Sequence, residues 1–408
     1  MVFFLPCFRL GLYEKKRVTM KILMIAPQPF FQPRGTPFSV LGRLKALSDL
    51  GHEVDLLTYH VGENKSFPNI HIHRIPKLPI KKVKVGPSLA KIPMDTVLFF
   101  KAFAMMRRNK YNVIHTHEEA GFMGILLKRV FHVPHIYDMH SSLPQQLYNF
   151  SFTHSKLIHR VFTWLEKNTL KNAEGVITIC PELYNYVESL GIKTYHTLIE
   201  NVVDYASLFE NTNGEIKTLV PWEKLNNRIK ILYSGTFESY QGLDLLVESA
   251  KRVVERHSNV VYLMVGGKPD QVEFYKNRVK ELGLSSYFYF TGMVSPVTAE
   301  KFVEYSDILL SSRTHGNNTP LKIYSYLRSG KPIIATNLVT HTQVMDDSVA
   351  ILTHATPEDF ARGINQVLEN KNLALMITRN AQALANEKYT YSVYLKKLND
   401  LYEHVGRN

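Results

Sequence analysis

The stretch SSRTHGNNTPLKIYSYLRSGKPIIATN, residues 311–337, carries the clearest structural signal of the chain. It places a polar turn after an apolar run, followed by an amphipathic helix, the break Ser-Gly-Lys-Pro and a second apolar run. Strand and helix patterns that alternate in this way are typical of a parallel sheet with helices on both faces. We therefore predict an α/β fold in which the polar turn lies at the end of a buried strand.

The same alternation extends over most of the chain. Short apolar runs predict strands at residues 21–26, 54–59, 70–75, 113–117, 135–139 and 176–179, and then at 229–234, 260–265, 288–291, 308–311 and 332–336. Helical periodicity predicts helices at residues 37–50, 120–131, 156–172, 243–256 and 272–282. The two series predict two doubly wound, Rossmann-like parallel sheets that face a cleft, with ligands at the carboxyl ends of the strands.

A polar, weakly periodic segment at residues 205–227 separates the two series. We assign residues 20–210 to a first domain and 211–389 to a second, and we expect a helix within 390–408 to pack back onto the first domain. Residues 1–19 are predicted to be a leader or a disordered tail, because their apolar run is short and is broken by Pro6 and Arg9.

The composition is that of an ordinary globular protein. Apolar residues make up 45% of the 408 residues and charged residues 21%, which is enough for two cores. Two cysteines are too few for a disulfide framework, so a reducing, cytoplasmic location is predicted. The formal net charge of +13 favours an anionic partner, but no zinc-ligand spacing or basic recognition helix indicates nucleic acid.

In the first domain, the candidate site residues directly follow predicted strands. Gly35 permits a sharp turn after the first strand and Thr36 is placed to cap the next helix, which would leave backbone N–H groups for an anion. His140 either donates a hydrogen bond to a substrate or satisfies carbonyls at its strand end. His115 and His117 alternate as zinc ligands do, but no third ligand follows at a characteristic spacing, so no metal is predicted. The remaining candidates, which either line a substrate pocket or cap a strand, are His117, Glu118 and Asp138.

Three glycine turns follow successive strands of the second domain. Each turn is a common loop, but three of them at neighbouring strand ends would form a rim where a ligand approaches the backbone closely. The candidates in these turns are Gly235, Thr236, Gln241, Gly266, Met293 and Val294.

The quoted stretch holds the densest set of candidates. Thr319 and Pro320 fit the cap and the first turn of a helix, whose unpaired N–H groups would face an anion. Arg313 and Lys322 lie close enough in sequence to neutralise that anion, and the alternative is a helix cap with solvated basic side chains. The other candidates of the stretch are His315, Gly316, Asn317, Asn318, Leu321 and Ser325.

Taken together, these segments resemble the retaining glycosyltransferases of family 4. The resemblance covers nearly the whole chain from Met20 and rests on the ordered blocks PRGTPFSVLGRLKALSDLGHEVDLLTY, ENVVD, YSGTFESYQGLDLLVESA, VGGKP, FTGMVSP and PLKIYSYLRSGKPIIAT. It implies a GT-B fold with an acceptor-side first domain and a second domain that binds a nucleotide-sugar donor, without a metal or another cofactor. It also implies that Gly35 lies beside the donor phosphates or sugar, His140 beside the transferred sugar, and the backbone of residues 319–321 beside the diphosphate.

The chain departs from the family's pattern at the donor site. The family's Glu-x7-Glu pair, which contacts the sugar and the ribose, is replaced by Asn317 and Ser325. The family has an arginine and a lysine in the loop after the first strand of the second domain. In this chain, Thr236 stands near the arginine position and Gln241 stands at the lysine position. Each lost charge-assisted contact costs roughly 1.5–3 kcal/mol, and Arg313 and Lys322 are candidates to restore the positive charge.

We predict an active, metal-independent, hexosyltransferase-like enzyme that retains configuration. Arg313 and Lys322 would stabilise the leaving diphosphate while Asn317 and His140 contact the sugar and an acceptor hydroxyl of a glycan or lipid attacks the same face. The alternative is a non-catalytic sugar- or nucleotide-binding subunit of a glycosyltransferase complex, which the replacements Asn317, Ser325 and Gln241 would fit.

Basic charge is concentrated between residues 76 and 110, where nine basic residues stand against Asp95 alone. Apolar residues are interleaved with them, among them Phe99, Phe100 and Met105. This pattern predicts either a helix that lies on an anionic membrane surface, which would make the protein peripheral at the inner face, or a core-facing helix with a solvated basic side.

Overall fold

The computed structural model describes residues 19–32, 35–80, 83, 88–149, 155–202 and 216–407, which form two parallel α/β sheets. The first sheet consists of strands β1 (Lys21–Ala26), β2 (Glu53–Thr58), β3 (Ile70–Arg74), β4 (Val113–His117), β5 (His135–Met139), β6 (Gly175–Thr178) and β7 (Tyr195–Leu198). Their spatial order is β3-β2-β1-β4-β5-β6-β7, and every neighbouring pair is parallel. The strand order therefore reverses between β1 and β4.

The second sheet consists of strands β8 (Ile229–Ser234), β9 (Val260–Val265), β10 (Phe288–Gly292), β11 (Ile308–Ser311), β12 (Ile333–Thr336) and β13 (Ile351–Thr353). Their spatial order is β10-β9-β8-β11-β12-β13, again with parallel neighbours, so the order reverses between β8 and β11. Strands such as β9, VVYLMV, are buried along their whole length, as expected for a sheet that is covered on both faces.

Helices cover both sheets. In the first domain they are α1 (Gly35–Asp49), α2 (Lys91–Arg108), α3 (Ala120–Phe131), α4 (Leu143–Asn149), α5 (Lys156–Asn172) and α6 (Pro181–Ser189). In the rest of the chain they are α7 (Ile216–Leu219), α8 (Leu243–Arg256), α9 (Pro269–Glu281), α10 (Pro296–Tyr305), α11 (Lys322–Arg328), α12 (Val339–Thr342), α13 (Pro357–Glu369), α14 (Lys371–Lys388) and α15 (Tyr391–Val405). Among the described residues, no helix is both long enough and apolar enough to cross a bilayer.

The last helix, α15, packs against the first sheet. Its buried residues Leu401 and Val405 face β6, where a Cβ on Gly175 would lie only 2.6 Å from a Leu401 methyl carbon. The Tyr402 hydroxyl lies 2.6 Å from Nδ1 of His115 in β4. The first core is therefore completed by the end of the chain.

The predicted α/β architecture of two doubly wound sheets is confirmed, and each predicted strand is present within one or two residues of its predicted bounds. Strands β7 and β13 were not predicted, because β7 is a short, half-buried edge strand and β13 has only three residues. The predicted boundary at residue 210 falls within 203–215, which lies outside the described residues, as does the predicted tail except for Thr19.

Helix α2 buries much of the apolar surface that the sequence offered to a membrane. Leu98, Met105 and Met106 are buried against the first core, whereas Phe100 is 66% exposed. The core-facing alternative therefore describes the buried side of α2.

Candidate active site

Both sheets reverse their strand order at the centre, and the loops that leave the two central strands diverge there. In open α/β sheets this switch point is the usual position of a ligand. Gly35 and Glu118 follow β1 and β4 in the first sheet, and Gly235 and Arg313 follow β8 and β11 in the second. The predicted candidates are thus grouped at the two switch points.

The three predicted glycine turns of the second domain lie side by side. The Gly235 N–H donates to the Val265 carbonyl over 2.9 Å, and the Gly266 N–H donates to the Gly292 carbonyl over 2.9 Å. A Cβ on Gly266 would lie 1.8 Å from the Gly235 carbonyl oxygen, so only glycine fits at this position. The turns at Gly235 and Gly266 therefore pack backbone against backbone, and the side chains nearest to Gly235 are those of Tyr233 and Lys322.

Lys322 lies next to Gly235, in the first turn of α11. Its Nζ is 4.0 Å from the centre of the Tyr233 ring, and a Cβ on Gly235 would be 3.8 Å from the same atom. The Nζ is buried and has no hydrogen-bond partner among the described residues. Burial, and then the charge of Arg313, lowers the pKa of Lys322 well below its ordinary value.

Arg313 is the second cation of this site. One of its NH groups donates to the Asn318 carbonyl over 2.8 Å, its guanidinium lies 5.3 Å from the centre of the Tyr240 ring, and its Nε has no partner in the described part of the chain. Neither Arg313 nor Lys322 forms an ion pair with a described carboxylate, whereas a buried cation is normally paired. The site thus brings two basic side chains without a carboxylate partner next to the glycine turns, an arrangement that favours an anionic ligand.

The turn between β11 and α11 connects the two domains. The Asn318 side-chain amide donates to the carbonyl of His140 over 2.9 Å, and the Gln343 amide donates to the carbonyl of Asn317 over 2.8 Å. The Asn318 side chain therefore faces the first domain, while its carbonyl fixes Arg313. His315 and Gly316, in the same turn, are exposed.

Neither threonine that was predicted as a helix cap has that role. Helix α11 begins at Lys322 after Leu321, without a side-chain cap. In the turn that leads into it, the Ile323 N–H donates a hydrogen bond to the Pro320 carbonyl. Thr319 is buried before that turn. Thr36 lies inside α1, which already begins at Gly35, and its hydroxyl donates to Glu118 over 3.4 Å.

A carboxylate that the sequence analysis missed lies beside Ser325. The Ser325 hydroxyl donates to Glu300, with its oxygen 2.6 Å and 2.9 Å from the two carboxylate oxygens. Ser325 follows Lys322 by nearly one helical turn on α11, and Glu300 belongs to α10, which was not predicted. An acidic group is therefore present where the short serine side chain by itself offers none.

The loop after β8 has uncharged side chains at Thr236, Phe237 and Gln241. Gln241 is buried and its amide donates to the Thr236 hydroxyl over 3.4 Å, while Phe237 belongs to the second core. A basic side chain at these positions would have to displace that packing. Met293, by contrast, is 73% exposed at the end of β10, next to the half-buried Val294.

In the first domain, His140 is backed by a buried polar network. Its Nε2 lies 2.9 Å from Nδ1 of His117 and 3.4 Å from Asp138, and Asp138 accepts a hydrogen bond from Arg43 Nε over 2.8 Å. Burial lowers the pKa of His140 to about 4, so the ring is neutral at neutral pH. Burial alone would raise the pKa of Asp138, but Arg43 and the neighbouring imidazoles hold it well below its ordinary value.

The network bears on three predicted roles. His117 and Asp138 are fully buried, so they orient His140 from behind instead of lining an acceptor pocket. His115, His117 and Asp138 bring potential metal ligands within 4.8 Å of one another. However, the guanidinium of Arg43 already occupies the Asp138 carboxylate and would repel a cation, so this donor set does not fit a metal.

Glu118 is the acceptor-side candidate that remains at the cleft. It is half-buried and accepts hydrogen bonds from Thr36 and, over 3.0 Å, from the Ser141 hydroxyl. Burial, and then the charge of Glu119, raises the pKa of Glu118 to about 7. A carboxyl group with this pKa can accept or donate a hydrogen bond to a hydroxyl near neutral pH.

Two family models match the chain in succession. The family described as Glycosyltransferase Family 4 matches residues 34–207, and the family described as Glycosyl transferases group 1 matches residues 217–384. The interval between them falls within the polar segment that was predicted to join the domains. These matches do not favour the alternative of a non-catalytic subunit.

Individual relatives match over most of their length at low identity. The uncharacterized glycosyltransferase MJ1607 of Methanocaldococcus jannaschii is 23% identical over 95% of this chain and 100% of its own. An alpha-monoglucosyldiacylglycerol synthase of Streptococcus pneumoniae is 23% identical over 78% of this chain and 71% of its own. Among solved structures, Anabaena Alr3699/HepE in complex with UDP superposes with a TM-score of 0.72 at 18% identity, over 94% of this chain and 100% of that chain. The fold is therefore GT-B.

Proposed function

Because the chain belongs to the family-4-like glycosyltransferases of GT-B fold, we propose that it transfers a sugar from a nucleoside-diphosphate donor to an acceptor hydroxyl, with retention of configuration. This proposal rests on the pair Arg313 and Lys322 at the second switch point, which are two cations without a carboxylate partner among the described residues. The UDP and UDP-glucose complexes of Alr3699/HepE support this donor class.

The diphosphate would lie beside Gly235 and accept hydrogen bonds from Arg313 and Lys322. During transfer the bond from the sugar carbon to the diphosphate oxygen breaks, and a bond to the acceptor oxygen forms on the same face. The acceptor proton passes to the departing diphosphate oxygen. The two cations, fixed in place before the reaction, would stabilise the charge that develops there without a metal.

His140 would hold a sugar hydroxyl as a neutral imidazole, because burial keeps its pKa low and His117 occupies its Nε2. Asn317 would contact the sugar from the other domain. On the acceptor side, Glu118 would orient the attacking hydroxyl. The name of the pneumococcal relative, a synthase of a glycosylated diacylglycerol, supports a lipid acceptor over a glycan.

Glu300 would supply the carboxylate that Ser325 lacks. The Ser325 hydroxyl, 2.6 Å from a Glu300 oxygen, holds that carboxylate against the helix that carries Lys322, and a carboxylate accepts strong hydrogen bonds from hydroxyl groups. We therefore assign the ribose contact to Glu300 and a supporting role to Ser325. The low cysteine content supports a cytoplasmic location.

The test is turnover of UDP-, GDP- and ADP-linked sugars, followed as nucleotide release with EDTA present. We expect Arg313→Ala and Lys322→Met each to lower turnover on the order of 100-fold, because each removes a charge-assisted contact to the leaving group. Lys230→Met is the matched control, since Lys230 pairs with Asp307 at the opposite end of β8. Activity in both site variants that equals that of the control would contradict the assignment.

The Glu300 assignment is tested in the same assay through the Michaelis constant. Glu300→Gln should raise the KM for the donor about tenfold, since one charged hydrogen bond is weakened. The double change Glu300→Ala with Ser325→Glu should recover most of that loss, because it returns a carboxylate to α11. An unchanged KM in Glu300→Gln would remove Glu300 from the donor site without affecting the role of Arg313.

A further inference from the structure

Three helices, α2, α3 and α5, form one layer over a face of the first sheet, which we call the outer layer. Phe103 of α2 lies 5.1 Å from Phe131 of α3, and Phe122 of α3 lies 6.2 Å from Phe162 of α5, measured between ring centres. The three helices lead into the neighbouring strands β4, β5 and β6 and so cover adjacent parts of the sheet. Their outward sides therefore form one broad surface.

This surface exposes large apolar side chains on all three helices. On α5, Leu157 is 71% and Trp164 is 64% exposed, and Val161 lies between them at helical spacing, so the three form one stripe. Helices α2 and α3 add further exposed apolar side chains, namely Ile92, Phe100, Leu126 and Val130. So many exposed apolar side chains are unusual on a surface that faces water alone, and such a surface indicates a site of interaction.

Every exposed charge on the outer layer is positive. The exposed charged residues of the three helices are Arg107, Arg108, Arg129, Lys156, Arg160, Lys167 and Lys171. The three helices contain only two acidic residues, of which Asp95 accepts a hydrogen bond from Tyr59 and Glu166 is fully buried against Ser142 and Leu143. The surface is thus apolar and basic, with no exposed acid.

We propose that the outer layer docks on an anionic lipid bilayer. Tryptophan and aliphatic residues beside lysine and arginine on one helix face are the combination that lies in the headgroup region. Each Lys or Arg is attracted by anionic headgroups. A second copy of the chain is a poor occupant, because the two faces would carry the same charge.

The docking would place the cleft at the membrane. Helices α3 and α5 run away from the carboxyl edge of the sheet, so Leu157, in the first turn of α5, lies towards the cleft. A bilayer against the outer layer would therefore border the rim where an acceptor enters. The docking itself needs neither donor nor acceptor and does not rest on the proposed transfer.

Tryptophan fluorescence gives a direct test, because the chain has only two tryptophans, Trp164 and Trp222. Trp222 is half-buried and donates to the Ile216 carbonyl over 2.6 Å, away from the outer layer. In the variant Trp222→Phe, Trp164 reports alone. We expect its emission to shift to shorter wavelength with vesicles of phosphatidylcholine and phosphatidylglycerol at 7:3, and brominated lipid to quench it.

Vesicle flotation of the full chain gives the second measurement. The triple variant Arg160→Gln, Lys167→Gln and Lys171→Gln should lower the partition coefficient on anionic vesicles on the order of 100-fold. A control on α9 of the second domain, Phe274→Ser with Lys276→Gln and Lys280→Gln, replaces two exposed basic residues and one exposed aromatic residue outside the outer layer and should partition like the wild type.

Three outcomes would overturn the proposal. These are an unshifted Trp164 emission with anionic vesicles, equal recovery with neutral and anionic vesicles, and equal loss in the α9 control. Sedimentation that shows a dimer which Trp164→Ser dissociates would assign the surface to a second copy and would also overturn it. Circular dichroism of each variant distinguishes these outcomes from misfolding.

Discussion

The two switch points of the molecule contain buried charge in equal measure but balance it in opposite ways. In the first domain, the carboxylate of Asp138 is paired with Arg43 and surrounded by neutral imidazoles. In the second domain, Arg313 and Lys322 lie together, with aromatic rings and glycine backbone as their neighbours and no described carboxylate. In the first arrangement the charges of Arg43 and Asp138 cancel, whereas in the second the basic side chains have no counter-charge in the described part of the chain.

This difference distinguishes buried charges that stabilise the fold from buried charges that are available to a ligand. A buried ion pair is stabilised by its own partner, and a ligand can add little to it. Two like charges in a buried environment raise the free energy of the folded state, and under the proposed function a bound diphosphate would relieve that cost. The absence of a counter-charge is therefore a better indication of a ligand site here than the presence of histidines or carboxylates.

The largest expected effect comes from breaking the balanced site. Arg43→Met leaves the Asp138 carboxylate buried without its partner, which should lower the free energy of unfolding by roughly 3–5 kcal/mol. Urea denaturation measures this, with Lys45→Met on the same helix as the control. The double variant Arg43→Met with Asp138→Leu should recover much of the loss. If the single variant is as stable as the control, the pair is not the structural element that we infer.

A change of opposite sign is expected at the unbalanced site. Lys322→Met replaces an uncompensated cation with an apolar chain of similar volume and should raise the free energy of unfolding by roughly 1–4 kcal/mol. Because folding lowers the pKa of Lys322, wild-type stability should rise with pH from that lowered value up to about 10.4, the pKa in the unfolded chain. The variant should lack this rise. Destabilisation by Lys322→Met would mean that Lys322 already has a partner.

The smallest effect is a proton taken up on donor binding. A diphosphate next to Lys322 raises the pKa that burial and Arg313 had lowered, so between the two values binding takes up as much as one proton. Affinity for the donor should accordingly fall as pH rises through this window. Calorimetry of UDP-glucose binding in buffers of different ionisation enthalpy measures the uptake, and Lys322→Arg should abolish it while keeping the charge. Uptake that persists in Lys322→Arg would assign the proton to another group.

Structure that follows from a local sequence pattern could be predicted from the sequence. Strands β4, β5, β8 and β11 are predicted to the residue, because each is an apolar run with a clear polar or glycine boundary. Three of these strands, β4, β8 and β11, border the switch points, so the sequence also located the loops that carry Gly235 and Arg313. The grouping of Arg313 with Lys322 follows from their positions on either side of one turn.

Contacts between segments that are distant in the chain could not be predicted from the sequence. Arg43 and Asp138 are 95 residues apart, and no local pattern indicates that they pair. Glu300 was missed because its role depends on the serine of another helix. Of the outer layer, the sequence indicated α2 alone, and the part of α5 was missed because burial decides which side chains are exposed: α2 turns much of its apolar side inward, whereas α5 turns Leu157 and Trp164 outward.

Helix α15 has a consequence for how the protein is made. On a ribosome, the strands of the first sheet emerge long before the residues of α15 that cover Gly175 and approach His115. The amino-terminal half therefore waits for the whole second domain to be synthesised before its apolar face is sealed. A fragment that ends near Glu200 would lack α15 and would therefore expose the surface of β6 that Leu401 and Val405 cover.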